Sequence, residues 1–219
     1  MKLENSRIEK KFILGKYKED YFEKLLKINN FKKIFPDRSI SSIYLDTINY
    51  DFVRDNINGV SKRKKIRFRW YNENLNKIYI EEKNKSNFNV SKNIKIIEFG
   101  IDKNNLLKSL KKFFYKIKFL NKNNYNYKFV LRTNYKRSYW LSKNERIRAT
   151  IDIDINANSL NNFLKSIYFG DTVLEFKFKP KHEKYFRDIY SNGFTHLRAQ
   201  KYSKYVNSFL ELENSGLIY

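Results

Sequence analysis

Hydrophobic and polar residues alternate along many short stretches of the chain, which is the pattern of β-strands with two different faces. About eight stretches show it, and they are 6–14, 39–46, 63–72, 77–85, 92–99, 127–140, 145–155 and 172–179. Most of them follow one another without a helical pattern between them. This succession predicts an antiparallel sheet or barrel.

Helical periodicity, with apolar residues every three or four positions, occurs in other stretches. These are 18–33, 103–119, 158–168 and 201–212. The stripe in 103–119 is the most continuous. One-sided helices need an apolar surface to pack against, so we expect the sheet to present its apolar face to them. The predicted fold class is α+β, a sheet or barrel flanked by helices.

Each predicted strand divides its side chains between an apolar face and a charged face. In 63–72, Phe68 and Trp70 lie opposite Arg67 and Arg69. The charged faces of other strands carry Glu9, Lys11, Glu81, Lys83, Arg148, Glu175 and Lys177. Two architectures have this pattern, namely an open sheet with its charges in solvent and a closed barrel with its charges inside.

The composition of the charged faces favours the closed barrel. They are rich in arginine, carry single carboxylates, and repeat this arrangement on several strands. A cation-lined interior has to hold anions, because unpaired buried charge is very costly. Converging Arg and Lys side chains can bind phosphate oxygens through charge-assisted hydrogen bonds. Carboxylates among them indicate a divalent metal such as Mg²⁺ between carboxylate and phosphate.

Composition adds limits to this picture. The 219 residues are 41% hydrophobic and 17% aromatic, enough for a core, and no linker or repeat divides them, so we predict one domain over 1–219. The formal charge of +23 attracts polyanions. There is no cysteine, and the two histidines lie apart, so thiolate and histidine metal sites are excluded. No signal peptide or stretch of ~20 apolar residues is apparent, so we expect a cytoplasmic location.

Several short motifs occur in an order that resembles one known family. They are RIEKKF at 7–12, SIYLDT at 42–47, DNING at 55–59, RFRWY at 67–71, IEEKNK at 80–85, YKRSYW at 135–140, RIRATIDID at 146–154, LEFKFK at 174–179 and KYSKYV at 201–206. Together they resemble the VTC domain, the polyphosphate polymerase branch of the triphosphate tunnel metalloenzymes, whose relatives include the CYTH-type triphosphatases. The first acidic position of the family's opening ExExK signature is Arg7 here.

The resemblance implies a tunnel fold and a reaction. The fold would be an eight-stranded antiparallel β-barrel with a charged interior, flanked by helices, with the C-terminal helix at the tunnel mouth. Members of the polymerase branch transfer the γ-phosphate of ATP to a growing inorganic polyphosphate chain with Mn²⁺ or Mg²⁺. ATP and polyphosphate would therefore be the ligands. A membrane-protein partner that exports polyphosphate would bring the chain to a membrane, and we expect no nucleic acid.

The resemblance also assigns the candidate site residues. Those expected to clamp the reacting phosphates are Arg67, Arg69, Lys83, Arg137 and Arg148. Those expected to bind further phosphates of the nucleotide or the chain are Lys11, Lys92, Lys201 and Lys204. Metal binding is assigned to Glu175 and Glu9. Asp152 and Asp154 are interpreted mainly as polarity at a strand end.

Phosphoryl transfer within such a site needs no protein nucleophile. The attacking group would be a terminal phosphate oxygen, or water in a triphosphatase, and the sequence offers no Ser-His or Cys-His pair.

Three alternatives stay open at this point. A nucleic-acid-binding β-domain would place aromatic stacking platforms beside its cations, whereas Phe68 and Trp70 lie opposite them. A triphosphatase of the same fold is disfavoured by Arg7, because that reaction relies on more carboxylates for its metals. The third alternative is a non-catalytic module that only binds polyphosphate.

Overall fold

The computed structural model of the chain describes residues 7–15, 18–87, 89–98, 105–114, 126–160 and 165–218. The strands are β1 (Ile8–Leu14), β2 (Phe31–Thr47), β3 (Lys62–Tyr71), β4 (Asn74–Ser86), β5 (Asn89–Glu98), β6 (Tyr127–Ser142), β7 (Ile147–Ser159), β8 (Ser166–Tyr168) and β9 (Thr172–Phe178). The helices are α1 (Glu19–Ile28), α2 (Asp51–Ile57), α3 (Leu106–Phe114), α4 (Glu183–Ser191) and α5 (Lys204–Asn214). A short 3-10 helix spans Pro180–His182.

The strands form one antiparallel sheet in the order β1-β9-β7-β6-β2-β3-β4-β5, with β8 added beside β7. This confirms the predicted α+β class. Within the described residues no ladder joins the edge strands β1 and β5, so backbone pairing does not close the barrel there. The sheet nevertheless curls far enough for Glu9 on β1 to form an ion pair with Lys83 on β4, 3.7 Å from Oε2 to Nζ. The face that carries both residues is therefore concave, and we call it the inner face.

The outer face packs against helices on both halves of the sheet. Phe176 on β9 is fully buried, and its ring centre lies 6.0 Å from that of Phe12 on β1 and 5.4 Å from that of Phe186 on α4. Phe22 of α1 belongs to the same cluster. Burial of such large aromatic side chains is the main stabilising contribution of this half.

A second cluster covers the other half of the outer face. Phe68 and Trp70 on β3 pack there with Leu110 and Phe114 of α3 and with Phe52 of α2. The side chains opposite the two β3 arginines thus face the helices, as strand parity predicts.

A β-bulge in β7 changes which side chains face inward. The β6–β7 register shifts at Asp154, whose φ of 54° lies in the left-handed region that few non-glycine residues adopt. Ile153 packs with the outer cluster, whereas Ile155 and Ala157 pack on the inner side with the C-terminal segment. The extra residue therefore turns the end of β7 into an apolar seat for α5.

Helix α5 lies against this seat at one end of the inner face, as expected of the C-terminal helix. Tyr205 stacks on Tyr44 with ring centres 4.8 Å apart. Its hydroxyl donates to Asp46 Oδ2 at 2.6 Å, and Asp46 also accepts backbone N–H bonds from Phe52 and Val53 at 2.9 and 3.1 Å. The carboxylate of Asp46 therefore joins β2, the first turn of α2 and α5.

The predicted helices have mixed outcomes. Helix α1 confirms 19–28 of the predicted stretch 18–33, whose last residues 31–33 belong to β2 instead, and α5 confirms 204–212 of the stretch 201–212. Helix α3 confirms the middle of 103–119, of which 103, 104 and 115–119 lie outside the described residues. The helix over 158–168 is wrong where it is described, because β7 runs to Ser159 and β8 begins at Ser166. Ala157 and Ile167 are cross-strand partners, so sheet pairing decided that segment. The short helices α2 and α4 were not predicted, and no described helix is long and apolar enough to span a membrane.

The variant Asp46→Ala is expected to lower the free energy of unfolding by about 2–4 kcal/mol, because it leaves buried amide donors and the Tyr205 hydroxyl without an acceptor. Urea denaturation followed by circular dichroism measures this. Asp55→Ala, on α2 but outside this network, is the control and should cost less than about 0.5 kcal/mol. Equal effects of the two variants would contradict the proposed anchoring.

Candidate functional site

Charged side chains from β1, β3, β4, β5, β6, β7, β9 and α5 converge on the inner face. The cations are Lys11, Lys65, Arg67, Arg69, Lys83, Lys92, Arg137, Lys177 and Lys204, and the carboxylates are Glu9, Glu81, Asp152 and Glu175. Cations are in clear excess. Three of the carboxylates are buried, and each of these lies between cations of neighbouring elements.

Glu81 on β4 is the centre of the first group. It lies directly opposite Arg67 in the β3–β4 ladder and accepts a hydrogen bond from Arg67 Nε at 2.6 Å. Lys92 Nζ is 2.8 Å from Oε1, and Arg69 Nη1 is 3.8 Å from Oε2. Burial alone would raise the pKa of Glu81, but Arg67 and Arg69 outweigh it and hold the pKa at about 2. One carboxylate thus serves three predicted phosphate ligands.

The arginines of β3 also use aromatic hydroxyls. Arg67 Nη1 donates to the Tyr44 hydroxyl at 3.3 Å, and Arg69 Nη2 donates to the Tyr135 hydroxyl at 3.1 Å. Arg137 lies over the ring of Tyr135, 5.3 Å from its centre. Burial would raise the pKa of Tyr135, yet the surrounding cations lower it. Tyr135 therefore connects Arg69 of β3 with Arg137 of β6.

Asp152 on β7 is the centre of the second group. Arg137 binds it in a bidentate fashion, with Nε 2.5 Å from Oδ1 and Nη2 2.7 Å from Oδ2, and Lys204 contacts Oδ2 from α5. Although burial opposes ionisation, these two cations keep the pKa of Asp152 well below its ordinary value. The interpretation of Asp152 as strand-end polarity is wrong, because it lies buried at the centre of the inner face. Arg137 and Lys204 are brought together as predicted site residues.

Glu175 on β9 is the centre of the third group. Lys177 Nζ is 3.2 Å from Oε2, and Lys11 Nζ is 3.6 Å from Oε1 and donates to the Tyr202 carbonyl at 2.7 Å. Burial would raise the pKa of Glu175, but Lys177 and Lys11 hold it at about 2. Glu9 also pairs with Lys177, at 3.7 Å, so one lysine lies between the two predicted metal ligands.

The donor set decides what kind of metal site these carboxylates could form. Among the residues that the structure describes, no group of three or more acidic or histidine side chains is arranged around one point. Glu9 and Glu175, which share Lys177, offer oxygen ligands in one neighbourhood. Mg²⁺ commonly binds one or two carboxylates together with water and substrate phosphates. The residues therefore fit a hard divalent ion held largely by phosphate and water, not a protein-only cage.

Two predicted residues lie apart from these groups. Arg148 is exposed, although its position opposite Lys177 in the β7–β9 ladder puts it on the inner face. Lys201 is also exposed, just before α5. Both belong to the rim of the inner face and not to its buried centre.

Two functional candidates were missed, namely Lys65 and Lys177. Lys65 Nζ donates to Ser203 Oγ, the N-cap of α5, at 2.7 Å. Burial, reinforced by Lys11 and Lys83, lowers the pKa of Lys65 to about 7. Strand parity could have predicted both lysines, because each lies two residues from a predicted ligand and therefore on the same face of its strand.

The fold is similar to those of several solved structures. A candidate adenylate cyclase from Vibrio parahaemolyticus matches with a TM-score of 0.54 and 15% identity, over 93% of this chain and 98% of that chain. HpAC1 from Hippeastrum, a candidate adenylyl cyclase described as having a dominant triphosphatase activity, matches with a TM-score of 0.56 and 11% identity, over 97% and 98%. A candidate adenylate cyclase from Bacillus halodurans matches with a TM-score of 0.54 and 13% identity, over 90% and 95%. At these identities the likeness concerns the fold alone.

Sequence comparison leads to the family. No curated protein sequence matches the chain. The model of the VTC domain family does match, over residues 6–212, which is nearly the whole chain, and this protein therefore belongs to the VTC domain family.

Proposed function

We propose that this protein transfers the γ-phosphate of ATP to a growing inorganic polyphosphate chain. The observation that carries the proposal is the excess of cations on the inner face, where Glu81 is shared by three cationic side chains and Asp152 and Glu175 by two each. Such an excess is costly unless anions are bound. Membership in the VTC domain family supports a phosphate substrate.

The reaction joins two highly charged anions. A terminal phosphate oxygen of the polyphosphate chain attacks the γ-phosphorus of ATP and forms a new P–O bond. The bond between the γ-phosphorus and the β–γ bridging oxygen breaks, and its electron pair leaves with ADP. Because attacker, transferred group and leaving group are all anionic, the protein has to position them and neutralise their charge.

The geometry suggests a division of roles. Arg69 of β3 and Arg137 of β6 meet at Tyr135, and Arg67 shares Glu81 with Arg69. These three arginines would clamp the triphosphate. Lysines around these arginines would bind the accepting chain. These are Lys11, Lys65, Lys83, Lys92, Lys177 and Lys204. Arg148 and Lys201 at the rim would attract anions towards the inner face.

A divalent cation would complete the neutralisation, in keeping with the metal dependence that the tunnel fold family implies. Glu175 and Glu9 are the residues that would hold it, and Mn²⁺ and Mg²⁺ are the proposed ions. Such an ion would supply positive charge that lowers the repulsion between the reactants.

The scarcity of carboxylates favours transfer to polyphosphate over hydrolysis. The opening strand keeps Glu9 and Lys11, but Arg7 replaces the first acidic residue of the signature. Hydrolysis stays the second candidate function because the Hippeastrum relative in fold is described as a triphosphatase.

Incubation of the purified protein with ATP and Mn²⁺ should yield ADP and inorganic polyphosphate, with one phosphate unit added to the chain for each ADP formed, because each transfer moves one γ-phosphate. Gel electrophoresis with a polyphosphate stain and an ADP assay measure this. Orthophosphate as the sole phosphate product would indicate the triphosphatase instead. Tight RNA binding with neither product would contradict both.

The double variant Arg67→Gln/Glu81→Gln should lower polyphosphate synthesis at least about 100-fold, because it removes a transition-state cation without leaving a buried carboxylate unpaired. Truncating both β3 arginines is a poorer test, since Glu81 is only 4% exposed. The matched control is Arg187→Gln/Glu183→Gln, which removes an exposed ion pair of α4 and should leave activity unchanged. Full activity of the first variant would contradict the clamp.

Affinity for inorganic tripolyphosphate should depend on Lys65 most strongly below pH 7. The lowered pKa of about 7 means that free Lys65 is charged below pH 7 and loses its proton above it. Anions favour the charged form, so the contribution of Lys65 is complete below pH 7 and falls above it by at most about tenfold per pH unit. The ratio of the affinities of the unaltered protein and Lys65→Met, from calorimetry at pH 6 to 9, should therefore decrease with pH. The exposed Lys62→Met is the control, and a ratio that stays constant would contradict this assignment.

A further inference from the structure

An aromatic cluster surrounds an arginine at one end of the inner face. Its members are Phe35, Arg38, Tyr71, Tyr79 and Tyr139, which we call the aromatic mouth. The guanidinium carbon of Arg38 lies 5.5 Å from the ring centres of Phe35 and Tyr139 and 6.0 Å from that of Tyr71. Tyr71 and Tyr79 meet edge to face with ring centres 5.5 Å apart. Four strands, β2, β3, β4 and β6, thus contribute to one group.

The aromatic mouth continues the rows of phosphate-binding cations. Tyr71 follows Arg69 on β3, and Tyr139 follows Arg137 on β6, each by two residues on the same face. Two residues advance a strand by about 7 Å. Arg38 is the cross-strand partner of Arg137. On both strands, therefore, the next residue on the inner face after a proposed phosphate ligand is a tyrosine.

This end lies away from the C-terminal helix. On β3, Lys65 contacts the N-cap of α5, and Tyr71 lies six residues further along the strand. On β2, Tyr44 stacks on Tyr205 of α5, and Arg38 lies six residues before it. The aromatic mouth is therefore the end of the inner face that α5 leaves accessible.

Exposure and charge indicate that this cluster meets a ligand. Phe35 is 50% exposed. Ile96 is the cross-strand partner of Tyr79, so its side chain is on the same face of the sheet, and it is 45% exposed. Large apolar side chains at an accessible rim often mark binding sites. Within the described part of the chain Arg38 forms no ion pair with a carboxylate. The faces of the aromatic rings stabilise its positive charge, and its N–H groups can therefore donate hydrogen bonds to a bound anion.

We propose that the aromatic mouth binds the nucleobase and ribose of the nucleoside triphosphate, with Arg38 directed at its phosphates. This inference rests on the proposed function. It orients the nucleotide, because the triphosphate would contact Arg69 and Arg137 and the base would contact the aromatic side chains two residues further along each strand. Bases stack on aromatic rings and on guanidinium planes, and every base has a face that can stack. The mouth therefore distinguishes a nucleotide from inorganic polyphosphate and discriminates little between bases.

Calorimetry with two probes tests this. The probes are the β,γ-imido analogue of ATP and inorganic tripolyphosphate, both without added metal so that neither turns over. Tyr71→Ala/Tyr79→Ala should weaken binding of the ATP analogue by about tenfold or more, through lost stacking, and change tripolyphosphate binding by less than about twofold. The corresponding GTP analogue should bind the unaltered protein within a few-fold of the ATP analogue.

A second variant and a control keep the outcome clear. Phe35→Ser alters a half-exposed side chain, so it removes little apolar burial, and it should weaken only the ATP analogue. Tyr168→Ala on β8, an exposed tyrosine outside the mouth, should change neither affinity. If the mouth variants lose both probes equally or neither, the inference is wrong while the proposed function stands. If the unaltered protein binds neither probe even when Mg²⁺ is added, the proposed function itself is wrong.

Discussion

The architecture depends on holding many cations against one concave face, and three buried carboxylates make this possible. Glu81, Asp152 and Glu175 come from β4, β7 and β9, and each lies between cations from neighbouring elements. Removing water from a charge costs several kcal/mol, so neither the cations nor the carboxylates would remain buried without one another. Their groups are spaced around the curl of the sheet, and Glu9 with Lys83 continues the pattern across the gap between β1 and β4. Side-chain charge therefore supports the curvature where backbone pairing ends.

The same charges hold the C-terminal segment. Lys204 contacts Asp152, Lys65 donates to Ser203, and Lys11 donates to the Tyr202 carbonyl. These contacts use lysines that belong to the proposed phosphate site. An anion bound there has to share or replace them, whereas the stacking of Tyr205 on the sheet is independent of charge. The segment before α5 and the ligand are therefore linked through common side chains.

Strand parity carried most of what could be predicted. The division of β3 into Arg67 and Arg69 on one side and Phe68 and Trp70 on the other is confirmed, because a period of two is a local property of any strand. The bulge at Asp154 could not be predicted, since a left-handed residue within a strand has no reliable sequence signal. Without knowledge of the bulge, the sequence does not predict that Ile155 and Ala157 face inward and form the apolar surface against which α5 packs.

Other features depend on neighbours that are distant in sequence. Lys65 has the same local pattern as Arg67, and its burial, together with the approach of Lys11 and Lys83 from other strands, lowers its pKa. The importance of Asp152 likewise arises from Lys204, which is 52 residues away. The predicted helix over 158–168 failed for a related reason, because the β7–β8 pairing overrides local periodicity.

An excess of like charge fixed on one face destabilises the free protein, and packing elsewhere has to offset that cost. The aromatic clusters of the outer face, centred on Phe176 and on Trp70, provide the offset through apolar burial. Bound phosphate would return the free energy that the repulsion costs, so ligand affinity and unfolding free energy are linked on the inner face. The aromatic mouth is free of this conflict, because rings around Arg38 attract a cation without adding a charge. Along the inner face, therefore, the cost of holding charge is highest where phosphates would bind and lowest where a base would stack.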